Sequence, residues 1–260
     1  MPQPLIHATE IIDPSAIIAA DVEIGPYSIV GADVELGPGS KLESHVVVKG
    51  PTRIGCNNHI FQFSSVGEAC QDMKYNGEPT RLEIGENNVI REGCTLHRGT
   101  IQDAGVTKIG SHNLLMANVH VAHDCALGDH IIVANNVALA GHVHVGDYAI
   151  LGGFTAAHLF CHIGTHCMTG AGSVVLKYIP LFVMANGNFV APHGMNTEGL
   201  KSRGFSDETI KVLRQAYKII FRQGLTLDTA IERLHDMSVD GDELSVLIAS
   251  LKNSSRGIIR

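Results

Sequence analysis

An aliphatic side chain returns at every sixth position through most of this chain. The series opens Ile12, Ile18, Ile24, Val30, Leu36, Leu42, Val48, Ile54, Ile60, Val66. Glycine often follows the aliphatic, as at Gly25, Gly31, Gly37, Gly55 and Gly67. Four places after it stands a small or β-branched residue, as at Ala16, Ser28, Ser40, Thr52 and Ser64. An α-helix buries residues with a period near 3.6 and a plain strand with a period of two, so neither produces six. A short strand, a corner and another short strand, repeated, does produce it, and hexapeptide repeats of this kind mark a parallel β-helix. If three hexads make a coil, residues eighteen apart stack about 4.8 Å from one another.

The frame is interrupted twice. Residues 67–83 lack the pattern, yet Ile84 stands three hexads after Val66, so this polar segment is expected to be a loop thrown outward from one full coil. A second excursion over 98–108 adds one residue to the count, after which the repeat runs from Ile109 to Val175 and ends near Pro180. Long loops in a regular scaffold are usually functional. The β-helix is therefore assigned to 1–190 and a small α-helical domain to 191–260. Ser206 can cap a helix to Arg222 with Ile210, Leu213, Tyr217, Ile220 and Phe221 on one face, and Gly224 stops it. Thr226 can cap a second helix to about Met237, and residues 242–252 form a third. Such a cap would cover the open end of stacked strands.

The chain is long enough for one large domain and a small one, with a core that needs no disulfide. Cys70, Cys94, Cys125, Cys161 and Cys167 fall at one hexad phase, where small inward residues belong, and no CxxC pair occurs. They read as buried thiols of a reducing compartment. No apolar run suits a membrane span, and the start, Met-Pro-Gln-Pro-Leu-Ile-His, lacks a basic leader, so a cytoplasmic protein is expected. A net charge of −7 argues against nucleic acid as a partner.

Fifteen histidines need an account. His7, His45, His59, His112, His130, His162, His166 and His235 are expected to be solvated surface residues. His120, His123, His142 and His158 differ, because stacking gathers three of them on one edge. Ala122 falls under Ala140, His123 under Gly141 and Asp124 under His142, with His158 one coil further, above Ala140. A base beside a backbone N–H donor suits acyl transfer to an alcohol. Zinc bound by histidines of adjacent coils, as in gamma-class carbonic anhydrases, is the rival, although Asp124 and the two polar loops are superfluous for it. No GxSxG elbow, GxGxxG motif or P-loop is present.

A more specific resemblance rests on His-Val-Ala-His-Asp-Cys (120–125), Leu-Ala-Gly-His-Val (139–143), Leu-His-Arg-Gly-Thr (96–100) and Gln-Asp-Met-Lys-Tyr-Asn-Gly-Glu-Pro-Thr-Arg (71–81). It extends through Asn-Leu-Leu-Met (113–116), Asn-Thr-Glu-Gly-Leu (196–200) and Arg-Gly-Ile-Ile-Arg (256–260). The chain resembles the bacterial acyl-carrier-protein:UDP-N-acetylglucosamine O-acyltransferases, which begin lipid A synthesis, over essentially its whole length.

That resemblance implies a left-handed β-helix, a homotrimer with sites between subunits, and transfer of a 3-hydroxyacyl group from acyl carrier protein to the 3-hydroxyl of UDP-N-acetylglucosamine, without metal or cofactor. It implies His123 as general base, Asp124 as its orienting partner and the Gly141 N–H as oxyanion donor. Gln71, Asp72, Lys74, His97, His120, His142 and His158 would line the sugar and acyl site. Asn196, Glu198 and Arg203 would grip the UDP end, and Ala171 would stand at the end of the acyl groove. Two positions depart from the family pattern: Ser202 replaces one of a basic pair, and Leu159 replaces a glutamine after His158. A related UDP-sugar N-acyltransferase, a gamma-type zinc enzyme and a non-catalytic scaffold are the alternatives. Lys211, Arg214, Lys218 and Arg222, three or four apart on the first cap helix, offer a basic stripe to an acidic carrier protein.

Overall fold

A computed structural model describes residues 5–237, 242–254 and 257–260. The first four residues and Arg256, which belongs to the last matching segment, lie outside the described residues.

The hexads fold as short strands, most of two residues, that form three sheets of nine, eight and ten strands, all parallel but for the last strand of the ten-stranded sheet. Successive strands visit the sheets in turn, so each coil has three sides. In the nine-stranded sheet the inward column runs Ile12, Val30, Val48, Val66, Leu96, Val121, Leu139, Ala157, Val175, each paired with the next. From Val30 onward these side chains are at most 3% exposed. Each buried Val, Leu or Ile contributes roughly 1.5–3 kcal/mol, and the repeat supplies one at most strands. A second ladder runs through the interior: buried Asn58, Asn88 and Asn113 bond coil to coil, Asn88 Nδ2 reaching Asn58 Oδ1 at 2.9 Å. Asn113 Nδ2 ends on the Gly128 carbonyl at 2.9 Å.

The two excursions leave from one corner, which corrects the expectation of a displaced full coil. Val66 pairs with Leu96, thirty residues on, and Leu96 with Val121, twenty-five on, where a plain coil takes eighteen. Both insertions lie between a strand of the nine-stranded sheet and the following strand of the eight-stranded sheet. The strands bordering them reach Glu68 and Arg81, and His97 and Val106, so the loops proper are 69–80 and 98–105. Residues 122–125 turn the same corner one coil higher.

The prism thus has three edges, each with a column of residues in the left-handed backbone region. The first edge carries Asp124, His142 and Phe160, at φ 58°, 61° and 63°. The second carries His112, His130, Tyr148, His166 and Phe182, and the third Asn118, Asn136 and Phe154. Asn, Asp and His tolerate this region better than most side chains. On the second edge the rings stack face to face: His112, His130, Tyr148 and His166 are spaced 4.8 Å apart, the repeat of the coil. His112, His130 and His166 were expected to be merely solvated, and His45, between Tyr27 and Phe63, likewise has ring neighbours at 5.2 and 5.3 Å. His59 is also engaged, with Glu43 at 2.7 Å. His162 lies 4.5 Å from His144. His7 and His235 are exposed as expected.

Beyond the strand Val174–Val175 the chain adds Val183–Asn186 to the ten-stranded sheet and returns antiparallel as Ala191–Met195. Among the described residues four helices follow: α1 Thr197–Ser202, α2 Asp207–Arg222, α3 Leu227–His235 and α4 Asp242–Lys252. Ser206 and Thr226 accept from Thr209 N and Thr229 N, the N-caps read from sequence. Helix α2 buries Ile210, Leu213, Tyr217 and Ile220, while Lys211, Arg214, Lys218 and Arg222 are exposed. Leu181 and Phe182 at the top of the coil join the cap's own core. Among the described residues no helix is long and apolar enough to cross a membrane.

Candidate active site

The first edge gathers the chemistry. The strand His120–Val121 delivers His123 and Asp124 to the corner, and Ala138–Leu139 delivers Gly141 and His142 directly above. His123 Nδ1 lies 2.9 Å from Asp124 Oδ2. Asp124 is buried and accepts twice from Thr100, at Oδ1 from the backbone N–H (2.9 Å) and at Oδ2 from the hydroxyl (2.6 Å). Its own N–H donates to Thr107 Oγ1 at 2.8 Å. Burial alone would raise this carboxyl, but the hydrogen bonds from His123 and Thr100 outweigh it and hold the group below its ordinary value. An ionised carboxylate only accepts, so the proton between the pair belongs to His123 Nδ1, and in the neutral imidazole the lone pair is then on Nε2.

The imidazole of His123 lies against Gly141: a Cβ built there would meet the ring at 2.4–3.0 Å. Among the described residues no protein acceptor takes the Gly141 N–H. His142 is bonded through its N–H to the His123 carbonyl at 3.0 Å, and its ring meets that of His123 edge-on at 5.1 Å. Phe160, from the next coil, stacks on His142 at 4.3 Å.

His120 stands on the same coil as His123, and His97 on the coil below. Their rings meet edge-on at 5.0 Å, and His120 Nδ1 is 2.7 Å from Thr95 Oγ1. Burial, reinforced by the neighbouring His120, pushes His97 down to about 4, and His120 is lowered by burial and by the charge of His123. Both are therefore neutral near pH 7. The loop carrying Gln71, Asp72 and Lys74 borders the same edge. Burial raises the Cys70 thiol, and the carboxylates of Asp72 and Asp124 add to it, so the start of that loop is within electrostatic reach of the dyad. Asp72 Oδ1 accepts from Lys74 N at 3.0 Å, and both Gln71 and Lys74 are exposed. Arg98 ties the loop down, donating to the Gly50 carbonyl and, at 3.3 Å, to the Tyr75 hydroxyl. His158 is exposed on the same edge, above Ala140, whose N–H donates to the Ala157 carbonyl.

The remaining candidates lie elsewhere in this chain. Arg203 is exposed with its guanidinium 4.6 Å over the Tyr148 ring, on the second edge, where burial and the Arg203 charge lower His166. Asn196 is buried and already employed: Oδ1 caps α1 at Gly199 N and Nδ2 donates to the His166 carbonyl at 2.9 Å. It anchors α1 to that edge, and Glu198 and Arg203 beside it are exposed. Ser202 is bonded to the Gly199 carbonyl at 2.9 Å. Ala171 is exposed on the third edge, beside Gly172.

Thr100, Asp103, Thr107, Arg98 and Phe160 were not selected from sequence. Thr100 and Arg98 lie within the matching segment 96–100, in which His97 is the residue expected at the site. His123, Asp124 and His142 also present ligand atoms within 4.8 Å of one another, a grouping that could hold a metal ion. Asp124 Oδ2 is already the acceptor for His123 and Thr100, so a metal there would displace the dyad's proton.

Residues 179–259 match the family described as UDP N-acetylglucosamine O-acyltransferase, domain 2, and residues 11–50 and 107–141 match the bacterial transferase hexapeptide. The chain is 59% identical over 255 residues to the acyl-[acyl-carrier-protein]–UDP-N-acetylglucosamine O-acyltransferase of Saccharophagus degradans, covering 98% of this chain and 99% of that one. It is 58% identical to the solved LpxA of Acinetobacter baumannii, with a TM-score of 0.96 over 99% of this chain and 100% of that one. The UDP-N-acetylglucosamine O-acyltransferase of Moraxella catarrhalis aligns at 49% identity with a TM-score of 0.97, again over 99% and 100%. The coil is accordingly the left-handed parallel β-helix that the resemblance implied.

Proposed function

Because the chain belongs to the family of UDP-N-acetylglucosamine O-acyltransferases that draw on acyl carrier protein, we propose that its first edge carries out that family's reaction. The enzyme transfers an acyl group from acyl carrier protein to UDP-N-acetylglucosamine, the first step of lipid A biosynthesis. In our reading the group is a 3-hydroxyacyl chain and the acceptor is the sugar's 3-hydroxyl.

The single observation that carries the mechanism is the His123–Asp124 pair lying against Gly141. The acceptor oxygen attacks the thioester carbonyl carbon while His123 Nε2 takes its proton. Asp124 holds the ring and stabilises the imidazolium that forms, and the Gly141 N–H donates to the oxygen on which negative charge develops. Collapse breaks the carbon–sulfur bond, the new ester remains on the sugar, and His123 returns the proton to the departing thiolate of the carrier. His97, His120, His142 and His158, with Gln71, Asp72 and Lys74, line the sugar and acyl site in this proposal. Asn196, Glu198 and Arg203 bind the UDP end, and Ala171 limits the acyl chain.

The assembly we propose is a homotrimer. In one chain His123, Arg203 and Ala171 stand on three different edges of the prism, and a neighbour related by a threefold axis can bring two such edges together. We place the enzyme in the cytoplasm, in keeping with six free cysteines.

The test is mass spectrometry of the product from purified protein given a mixture of acyl carrier proteins with UDP-N-acetylglucosamine or its 3-amino counterpart. An O-linked 3-hydroxyacyl product is expected. No acylated sugar, or acylation of the amine alone, would reject the reading.

A further inference from the structure

The first edge holds a second carboxylate–imidazole pair, built from outside the repeat. Asp103 lies in the 98–105 loop, and its Oδ2 is 3.0 Å from His142 Nδ1. The His142 side chain is 9% exposed and that of Asp103 is 49% exposed. The arrangement copies the His123–Asp124 pair one coil below: in each, a carboxylate takes Nδ1 and so assigns that nitrogen the proton. One loop serves both imidazoles, since Thr100 holds Asp124 and Asp103 holds His142.

The His142 ring is thereby fixed on three sides. Phe160 covers one face at an interplanar angle of 11°, the His123 ring meets it at 89°, and Asp103 holds Nδ1. The one polar atom left to the ring, Nε2, is 3.8 Å from Asp124 Oδ2. That distance is too long for a hydrogen bond, and it turns the ring's polar edge toward the dyad.

We propose that Asp103 is a positioning residue for the acceptor sugar: acting through His142 Nδ1, it holds that ring with Nε2 presented beside the His123–Asp124 dyad. The inference rests on the acyl-transfer reading above. A ring free to turn about its χ angles would present Nε2 only part of the time, and the acceptor would feel the loss where the carrier protein would not.

The experiment is a double-mutant cycle on the full-length protein, with kcat and KM measured for each substrate in turn. Asp103→Ala is expected to lower kcat/KM for UDP-N-acetylglucosamine roughly tenfold, mainly through KM, and to leave KM for acyl carrier protein unchanged. Asp103→Glu should restore most of the loss. In a His142→Ala background Asp103→Ala should cause no further loss. An equal fractional loss with and without His142, a loss shared by both substrates, or no loss at all would overturn the proposal. Should Asp103→Ala fail to fold, Asp103→Asn keeps an acceptor for Nδ1 without the charge and is read by the same cycle. The wild-type protein, assayed alongside, tests acyl transfer itself, so its inactivity would reject that reading and not the role of Asp103.

Discussion

A Cβ on Gly141 would stand 2.4 Å from Cε1 and 2.5 Å from Nε2 of His123. The absent side chain at Gly141 is therefore the space in which the imidazole rests. Real Cβ atoms do not approach so closely, and Gly141→Ala must push the ring off its place and away from Asp124. The loss expected is that of a positioned general base, on the order of 10²–10⁴ in kcat. His123→Ala should fall by a similar factor, and the two changes together by no more than either. Near-normal turnover of Gly141→Ala would show that the ring is not held there.

Acyl length is predicted to respond at Ala171. Each buried methylene is worth about 0.8 kcal/mol, so a stop that excludes a terminal pair discriminates strongly. Ala171→Gly should move selectivity toward longer chains and Ala171→Met toward shorter ones, read from competition between carrier proteins of graded acyl length. Unchanged selectivity in both variants would remove this residue from the groove.

The exposed stripe on α2 is predicted to guide the carrier protein. Charge attraction of this kind mainly raises the association rate and is screened over about 8 Å at physiological salt. Reversing Arg214 and Lys218 to Glu should lower kcat/KM for acyl carrier protein, most at low salt, with binding of UDP-N-acetylglucosamine unaffected. Equal losses for both substrates would make the stripe an ordinary solvated helix face.

Acid should destabilise the fold through His97. Its folded-state value of about 4 lies below the ordinary 6.5 because burial, then the neighbouring His120, disfavour the charged form. Between those two values the unfolded chain binds a proton that the folded chain does not. Stability is therefore complete above about pH 6.5 and is lost as pH falls toward 4, by at most about 3 kcal/mol. Asp124 acts in the same sense lower down: its depressed carboxyl contributes stability that is present above its unfolded value of 3.8 and is lost below it. Melting temperature measured from pH 7 to pH 4 should fall less steeply for His97→Gln than for the native chain. Parallel curves would mean that His97 titrates normally.

The stacking of His123 under Gly141 was legible in the sequence, because a strict period of six fixes which residues share an edge once three hexads make a coil. The helix caps at Ser206 and Thr226 were legible for a similarly local reason. Thr100 and Asp103 were not, since they reach Asp124 and His142 from 24 and 39 residues away through loops that obey no period. The length of the excursions was legible, but not that both leave the same corner, because counting hexads from Val66 to Ile84 cannot tell a displaced coil from an enlarged turn. The outward histidines misled for another reason. A polar ring at a left-handed corner looks solvated in sequence, but the coil repeat of 4.8 Å is also a comfortable spacing for stacked rings, and His112, His130 and His166 adopt it.

The division of candidate residues among separate edges has a consequence for mixtures. Suppose His123 of one subunit works with Arg203 of a neighbour. A chain carrying His123→Ala and a chain carrying Arg203→Ala are then each inactive alone. Unfolded together and reassembled, they would form mixed trimers in which one interface receives an intact histidine from one parent and an intact arginine from the other. Two dead proteins would regain activity on mixing, whereas two chains with both defects on the same polypeptide would not.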